Sequence, residues 1–481
     1  MRFGIKPCAT ILLTLFILNL SLALPSSFVT VNTTGSVVLI QPLHTDGRYI
    51  KNANGKLVFL RGVNKGGWGD TSTGDWTPEG KVFGTNNTYW DDSTVRLHLG
   101  QLREWGSNAM RIMLNIDWWV RNASEYLWGP QQTNKPYRYC LEKTIDLAAE
   151  YGIYVVVSVW TVYPGHRVEL PYNATNPDTG QPFTETDFIN FWVDIASVLG
   201  KYPNVVFELY NEPYGGEKAF THWADVSQQA VNSIRDVEKI NRYSLHLIVV
   251  QYGYTFPPIY ATWQQRLLNG SGILYSTHLY DGGFRYGWGN MTDISSSWWT
   301  YDSVKLRIAQ LGIKNLVEIN DVPFYAGEVG AYYANLPSPD PHQLEFFQNV
   351  LTVLNEWGAS YTAFVFDVPF TVYALQQNTV APFPPNTVGQ TLINATSAGK
   401  AMGIVTGTVT DLNTGNVVQD VLVSIGGMNV TTGRSGMYWI SVAFGEYTVT
   451  YEKSGYSPSS SNIVVSDSRS IYQINIQLSP S

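Results

Sequence analysis

Asn204-Val-Val-Phe-Glu-Leu-Tyr-Asn211-Glu212-Pro213 and Phe324-Tyr-Ala-Gly-Glu328-Val-Gly330 decide how this chain of 481 residues is read. Each is a short apolar run with strand character that closes on a glutamate. Pro213 or Gly330 then breaks the regular structure. Carboxylates at the C-terminal ends of separate strands in one closed barrel would face each other across a single mouth.

Working outward from these runs, apolar segments alternate with amphipathic ones from about Gly47 to Ala381. The candidate strands are Val58–Val63, Ala109–Leu114, Tyr154–Val159, Val205–Tyr210, Leu247–Gln251, Ile273–His278, Phe324–Glu328 and Tyr361–Asp367. Helical spacing separates them, as in Val95, Leu99 and Leu102, or Phe188, Phe191, Trp192 and Ile195. Eight such alternations predict an α/β fold, a (β/α)8 TIM barrel. A doubly wound sheet would alternate too, but no glycine-rich phosphate turn follows the first strand. Composition changes after Phe383-Pro384-Pro385. We expect a barrel over 24–385, a linker or final barrel loop over 386–402, and an accessory β-sandwich over 403–481. Period-2 runs such as Val421, Val423 and Ile425, with turns at Asn413-Thr-Gly415 and Ser454-Gly455, mark the sandwich.

Residues 1–23 have the form of a signal peptide: Arg2 and Lys6, the apolar run Ile11 to Leu18, then Ser21-Leu22-Ala23. That run is too short to span a bilayer, so no stable membrane insertion is expected after cleavage. The reading is of a secreted protein, extracellular or attached to the cell surface, and monomeric. Cleavage would leave Cys140 alone, so stability must come from packing rather than a disulfide. Sequons such as Asn173 and Asn429 become usable on export without being shown to be used. The net charge is −8 with 14% charged residues, which argues against nucleic acid and suits a neutral, hydroxyl-rich partner.

Paired carboxylates are what glycoside hydrolysis needs: one protonates the leaving oxygen, the other attacks the sugar carbon or activates water. With Gly55-Lys-Leu-Val-Phe-Leu-Arg-Gly62-Val-Asn64 and Trp105-Gly-Ser-Asn-Ala-Met-Arg111 upstream, and His278-Leu-Tyr280 then Gly327-Glu328 downstream, the barrel resembles glycoside hydrolase family 5. The resemblance implies Glu212 as general acid/base, Glu328 as nucleophile, and Arg111 beside the nucleophile. It also implies Asn211 on the sugar 2-hydroxyl, with His278 and Tyr280 near the reaction centre. Two positions depart from the family. Trp160 stands where strand three usually ends in histidine, and Phe364 or Phe366 where strand eight usually supplies tryptophan. Trp160 and Phe366 are therefore counted as sugar-stacking candidates. Trp68, Trp118, Trp119, Phe284, Tyr286, Trp288, Trp298 and Trp299 fall in predicted loops and would extend the cleft. His98 and His166 are left as surface or loop histidines. Nothing has metal-ligand spacing, so neither a metal nor a cofactor is expected. The tail resembles the carboxypeptidase-regulatory-like sandwich, on Gly407-x-Val409, Asn413-Thr-Gly415 and Gly445-x-Tyr447-Thr-Val449. Sugar binding there through Trp439 is the weaker reading. The expected activity is that of a retaining endo-β-1,4-glucanase on a polysaccharide. A β-mannanase, another β-glycanase, or a non-catalytic polysaccharide-binding protein are the alternatives.

Overall fold

A computed structural model of the protein describes residues 28–31, 37–66, 92–122, 136–163, 168–215, 217–251, 266–281, 297–331, 341–366, 374–377 and 383–481. Eight parallel strands close into a barrel: β1 (Arg61–Lys65), β2 (Ala109–Asn115), β3 (Tyr154–Thr161), β4 (Val205–Glu208), β5 (Leu247–Gln251), β6 (Ile273–Tyr280), β7 (Phe324–Gly330) and β8 (Ser360–Phe366). Helices between them form the outer layer; the long Glu217–Asn241 helix, for example, buries Trp223, Val226, Ala230 and Ile234. Strand β1 begins later than its apolar pattern suggests. Leu57 and Val58 bond to Arg469 and Ile50 instead of joining the barrel ladder.

Side chains alternate along each strand, so residues two apart share the barrel interior. The lower interior is apolar: Leu60, Val156, Val206, Val249, Leu274 and Tyr325 form one buried cluster with Ile40, Leu43 and Ile50. Ile50 belongs to the hairpin Leu43–Asp46/Tyr49–Asn52, which closes the N-terminal end. Two residues further up, the interior turns polar, with Ser158, Glu208, Gln251 and Ser276 all buried. A dry floor beneath a polar mouth is thus encoded strand by strand.

The segment 386–402, expected as a linker or final barrel loop, is instead the helix Thr387–Lys400. Asn386 caps it by accepting from the Val388 and Gly389 amides, and Val388, Leu392 and Thr396 give it a buried stripe. Its Asn/Thr/Ser/Gly composition masks that four-residue period. The helix packs on Pro341–Glu356, so the barrel layer runs on to Lys400.

Beyond it, two four-stranded sheets form the sandwich. One contains Met402–Asp411, Met437–Ala443, Ile471–Gln473 and Ile476–Leu478; the other contains Leu422–Ile425, Met428–Thr431, Gly445–Glu452 and Ser459–Val465. Val405, Val423, Ile440, Val449 and Tyr451 lie in its core. The sandwich packs against the floor end of the barrel. Ile404 and Trp439 join the barrel's own core cluster. Trp439 is 5% exposed, donates its indole N–H to the Trp357 carbonyl (3.3 Å) and lies under the Arg48 guanidinium at 4.3 Å. Its faces are taken by protein, which removes it as a sugar platform. Among the described residues no helix is long and apolar enough to cross a membrane.

Because Trp439 fills the joint between the two parts, Trp439→Ala should cost about 3 kcal/mol or more of unfolding free energy. Urea denaturation of the full chain measures this; an unchanged midpoint would show that the joint contributes nothing to stability.

Candidate active site

Arg111, on the interior face of β2, is fully buried, and acceptors surround it. Its Nε donates to Glu208 Oε2 at 2.6 Å and Nη2 to Glu208 Oε1 at 3.1 Å, a two-pronged pair. Nη1 donates to Asn64 Oδ1 at 2.8 Å and Glu328 Oε1 at 2.9 Å. Nη2 also reaches Asn211 Oδ1 (2.7 Å) and Ser158 Oγ (3.1 Å). Burial disfavours the cation, but the Glu208 and Glu328 carboxylates outweigh it, and the guanidinium's pKa is held above its ordinary value. Arg111 is a fixed positive charge.

Glu328 reaches the interior by way of a bulge. Register shifts between Thr277 and His278 on β6, and between Ala326 and Val329 on β7, put an extra residue into the strand. Tyr325 faces inward and Ala326 outward, so simple alternation would turn Glu328 outward. The added residue, Gly327, reverses that. A Cβ on Gly327 would lie 3.0 Å from both His278 Nε2 and Ser276 Oγ, so any larger residue in the bulge would press on those two side chains. Tyr280 then donates its hydroxyl to Glu328 Oε2 at 2.6 Å.

Glu212 sits just beyond β4 with a left-handed φ of 49°, ahead of Pro213. A non-glycine residue rarely adopts that conformation, and a following proline disfavours helical backbone. The surroundings hold it there: Gln251 Oε1, from the end of β5, accepts the Glu212 backbone N–H at 2.9 Å, and Asn211 N donates to the Val159 carbonyl at 2.7 Å. The Glu212 carboxyl meets His278 Nδ1 at 2.7 Å, and the same nitrogen is 3.4 Å from Glu328 Oε2. One proton serves the Glu212–His278 contact, on the imidazole when the carboxylate is ionised and on the carboxyl when it is the acid.

Glu212, His278 and Glu328 each offer an atom within 4.8 Å of the others, a closeness their sequence spacing does not reveal. Three such atoms could in principle meet a divalent cation. Arg111 opposes this, since it already bonds one Glu328 oxygen and adds a positive charge beside the cluster. Two carboxyls with different partners are suited to acid/base and nucleophilic work instead.

The fold brings six of the predicted residues, Glu212, Glu328, Arg111, Asn211, His278 and Tyr280, into one cluster of hydrogen bonds and ion pairs. Trp160 is buried and is the added residue of a bulge in β3, between Val159 and Thr161, and no described polar contact involves it. Phe366 does not belong to the mouth. It is fully buried in the outer layer, its ring against those of His98 (5.7 Å), Trp105 (5.3 Å) and Phe383 (6.1 Å). Phe364 is the β8 aromatic that meets the site, edge-on to Tyr280 at 6.5 Å. His98 is likewise a core residue, not a surface one; burial pushes its pKa well below the ordinary range, with the Lys65 charge adding to this. Trp119 packs in the outer layer too, donating to Asp194 beneath the Arg138 guanidinium, and Trp118 meets Tyr137. Trp298 is nearly buried against Phe346, and Trp299 is stacked on His342. Trp68, His166, Phe284, Tyr286 and Trp288 lie outside the described residues.

Sequence reasoning missed Asn64, Ser158, Glu208 and Gln251. The signal available was a polar residue in an apolar strand, in phase with an interior neighbour: Glu208 follows Val206, and Ser158 follows Val156. Gly327→Ala should leave the barrel folded by circular dichroism yet lower turnover on the order of tenfold or more, because displacing His278 misplaces the reacting groups. Turnover equal to that of the unaltered protein would mean that the tight fit at the bulge is immaterial.

Comparison with known proteins gives the family and the fold. The family model for cellulase (glycosyl hydrolase family 5) matches residues 71–367, and that for the carboxypeptidase regulatory-like domain matches residues 404–479. Endoglucanase N of Pectobacterium atrosepticum is 25% identical over 278 residues, 55% of this chain and 50% of that protein. An endoglucanase of Clostridium saccharobutylicum is 25% identical over 248 residues, 49% of this chain and 42% of that protein. The chain thus spans half the length of these relatives or less. Among solved structures, an endocellulase from Pyrococcus horikoshii in complex with cellotetraose superposes with a TM-score of 0.54 at 18% identity, covering 74% of this chain and 99% of that one. A β-glucanase from Saccharophagus degradans gives 0.52 at 20% identity, covering 75% and 94%. At such identities the structural likeness is one of fold, whereas the family model spans more than half of the sequence. The chain belongs to the cellulase family, glycosyl hydrolase family 5.

Proposed function

We propose that the protein is an exported retaining endoglycanase acting on β-1,4-glucan. The observation that carries the reading is the approach of the two carboxyls: oxygens of Glu212 and Glu328 lie within 4.8 Å. Retaining enzymes hold their carboxyls about 5–5.5 Å apart, whereas inverting enzymes leave about 6.5–9.5 Å for a water. Glu328, held by hydrogen bonds from Arg111 and Tyr280, is the group placed to attack. Its oxygen attacks the anomeric carbon while the glycosidic C–O bond breaks and Glu212 gives its proton to the leaving oxygen. Glu212, now ionised, takes a proton from water as that water attacks the same carbon and Glu328 departs. His278, bonded to Glu212 Oε1, steadies the acid through both protonation states. Because Arg111 occupies Asn211 Oδ1, the amide N–H2 of Asn211 is left to bond the sugar 2-hydroxyl. The glucan substrate rests on the names of the endoglucanase relatives, and export rests on residues 1–23.

A mannan substrate is the second reading, favoured by Trp160 at the end of β3 and Phe364 on β8. Both alter the pocket wall and leave the acid/nucleophile pair untouched.

Reducing-sugar release from a panel of glucan, mannan, xylan and xyloglucan, followed by proton NMR of the first-formed anomer, tests the proposal. Glucan should be preferred and the β-anomer should appear first. Glu212→Gln should lower kcat by about 10²–10⁴-fold on unactivated substrate, and Glu328→Gln should abolish turnover. An initial α-anomer, or a fully active Glu328→Gln, would sink the mechanism.

A further inference from the structure

We propose that Glu208 is a positioning and tuning residue for the nucleophile, acting through Arg111. This inference rests on the reading of Glu328 as nucleophile and goes beyond it, because Glu208 has no contact with Glu328 among its hydrogen bonds.

The argument begins with how Arg111 distributes its donors. A guanidinium has five N–H groups in a fixed fork. Glu208 accepts from Nε and Nη2, whereas Glu328 accepts from a single Nη1 hydrogen that has Asn64 as its neighbour. Glu208 is fully buried and therefore has no water to spread its charge. The Arg111 cation is consequently shared between two carboxylates, and the two-pronged share goes to the one that does no chemistry. A lone arginine on Glu328 would stabilise the free carboxylate strongly and make it a poorer nucleophile. Glu208 offsets that charge and leaves Glu328 ionised but reactive. It also fixes the plane of the fork, so that Nη1 points at Glu328 and Nη2 at Asn211.

Among the described residues, the titratable groups around Glu328 are Arg111 on β2, Glu208 on β4, Glu212 beyond it, His278 and Tyr280 on β6, and Tyr325 on β7. Exchanging Glu208 for glutamine removes one negative charge from this set. Both consequences act in one direction: repulsion of the Glu328 anion falls, and more of the Arg111 charge acts upon it. Protonation of Glu328 then requires a lower pH.

The test is the acid limb of the kcat/KM–pH profile for the full chain carrying Glu208→Gln, measured beside a carboxyl ¹³C NMR titration of Glu328. The NMR signal is assigned by its loss in Glu328→Gln and reports ionisation without any turnover. Both should move down by about one pH unit, the low end of what an opposite charge does to a carboxyl, while kcat falls. Ser158→Ala, which removes a neutral contact of the same guanidinium, should lower activity without moving either titration. A Glu208→Gln protein that loses activity with both titrations unmoved would show that Glu208 only holds structure, and the proposal would be overturned. If Glu208→Gln fails to fold, Glu208→Asp decides. It keeps the charge but withdraws it by one methylene, and should move the titration part of the way; an unmoved titration overturns the proposal. A wild-type chain that hydrolyses none of the polysaccharides would count against the functional reading alone, since the NMR titration still reports on Glu208.

Discussion

The buried charge of Arg111 is the constraint around which the upper barrel is arranged. Taking a cation out of water costs several kcal/mol even after relaxation, roughly, and the loss is recovered only with good geometry and full pairing. Here the pairing draws on Asn64 from β1, Ser158 from β3, Glu208 from β4, Asn211 just beyond β4, and Glu328 from β7. With Arg111 itself on β2, five of the eight strands contribute to one cluster. None can shift along its neighbour without leaving a buried donor or acceptor unmade, which costs more than the bond contributes when formed. The cluster therefore fixes strand register where chemistry needs precision, and the apolar floor supplies cohesion below it.

Two backbone departures complete the arrangement, and both lie at the paired carboxyls of Glu212 and Glu328. Glu328 faces inward because of one added glycine in β7; Glu212 is held in a left-handed conformation between Asn211 and Pro213. Such conformations persist only when their surroundings over-determine them. The Gln251 side chain on the Glu212 amide and the tight approach of Gly327 to His278 and Ser276 provide that support. The stability of the barrel is in this sense spent at its mouth.

Much of this was legible in the sequence, and for physical reasons. Eight apolar runs separated by helical spacing imply a closed parallel sheet, and seven of the eight predicted strands begin within a residue of the observed ones. Glu212 and Glu328 stood out because proline and glycine punctuate them. The remainder depended on facts a single sequence does not carry. Phe366 departs from expectation because a register shift in β8 between Ala363 and Phe366 decides which phenylalanine meets the site, and the sequence presents Phe364 and Phe366 as equivalent. Thr387–Lys400 passed for a linker because its buried stripe uses Thr396 and Gly399 where apolar residues would announce a helix. Glu208 was overlooked because a carboxylate in a strand is conspicuous only once its arginine partner is known to face it from β2.

The position of the sandwich follows from the same polarity of the barrel. The N-terminal end is the apolar end, so it is there that a second domain can bury surface without competing with the site. Trp439, Ile404 and the Arg48 side chain make that joint, and the strand C-termini stay clear of it. Trp439, the module's tryptophan at that joint, is already enclosed there. Trp439 shares a small cavity with Phe324 and Ser360, where β7 and β8 begin. Those strands run from the joint toward the mouth, where β1 and β7 present Asn64 and Glu328, the two residues that share Nη1 of Arg111.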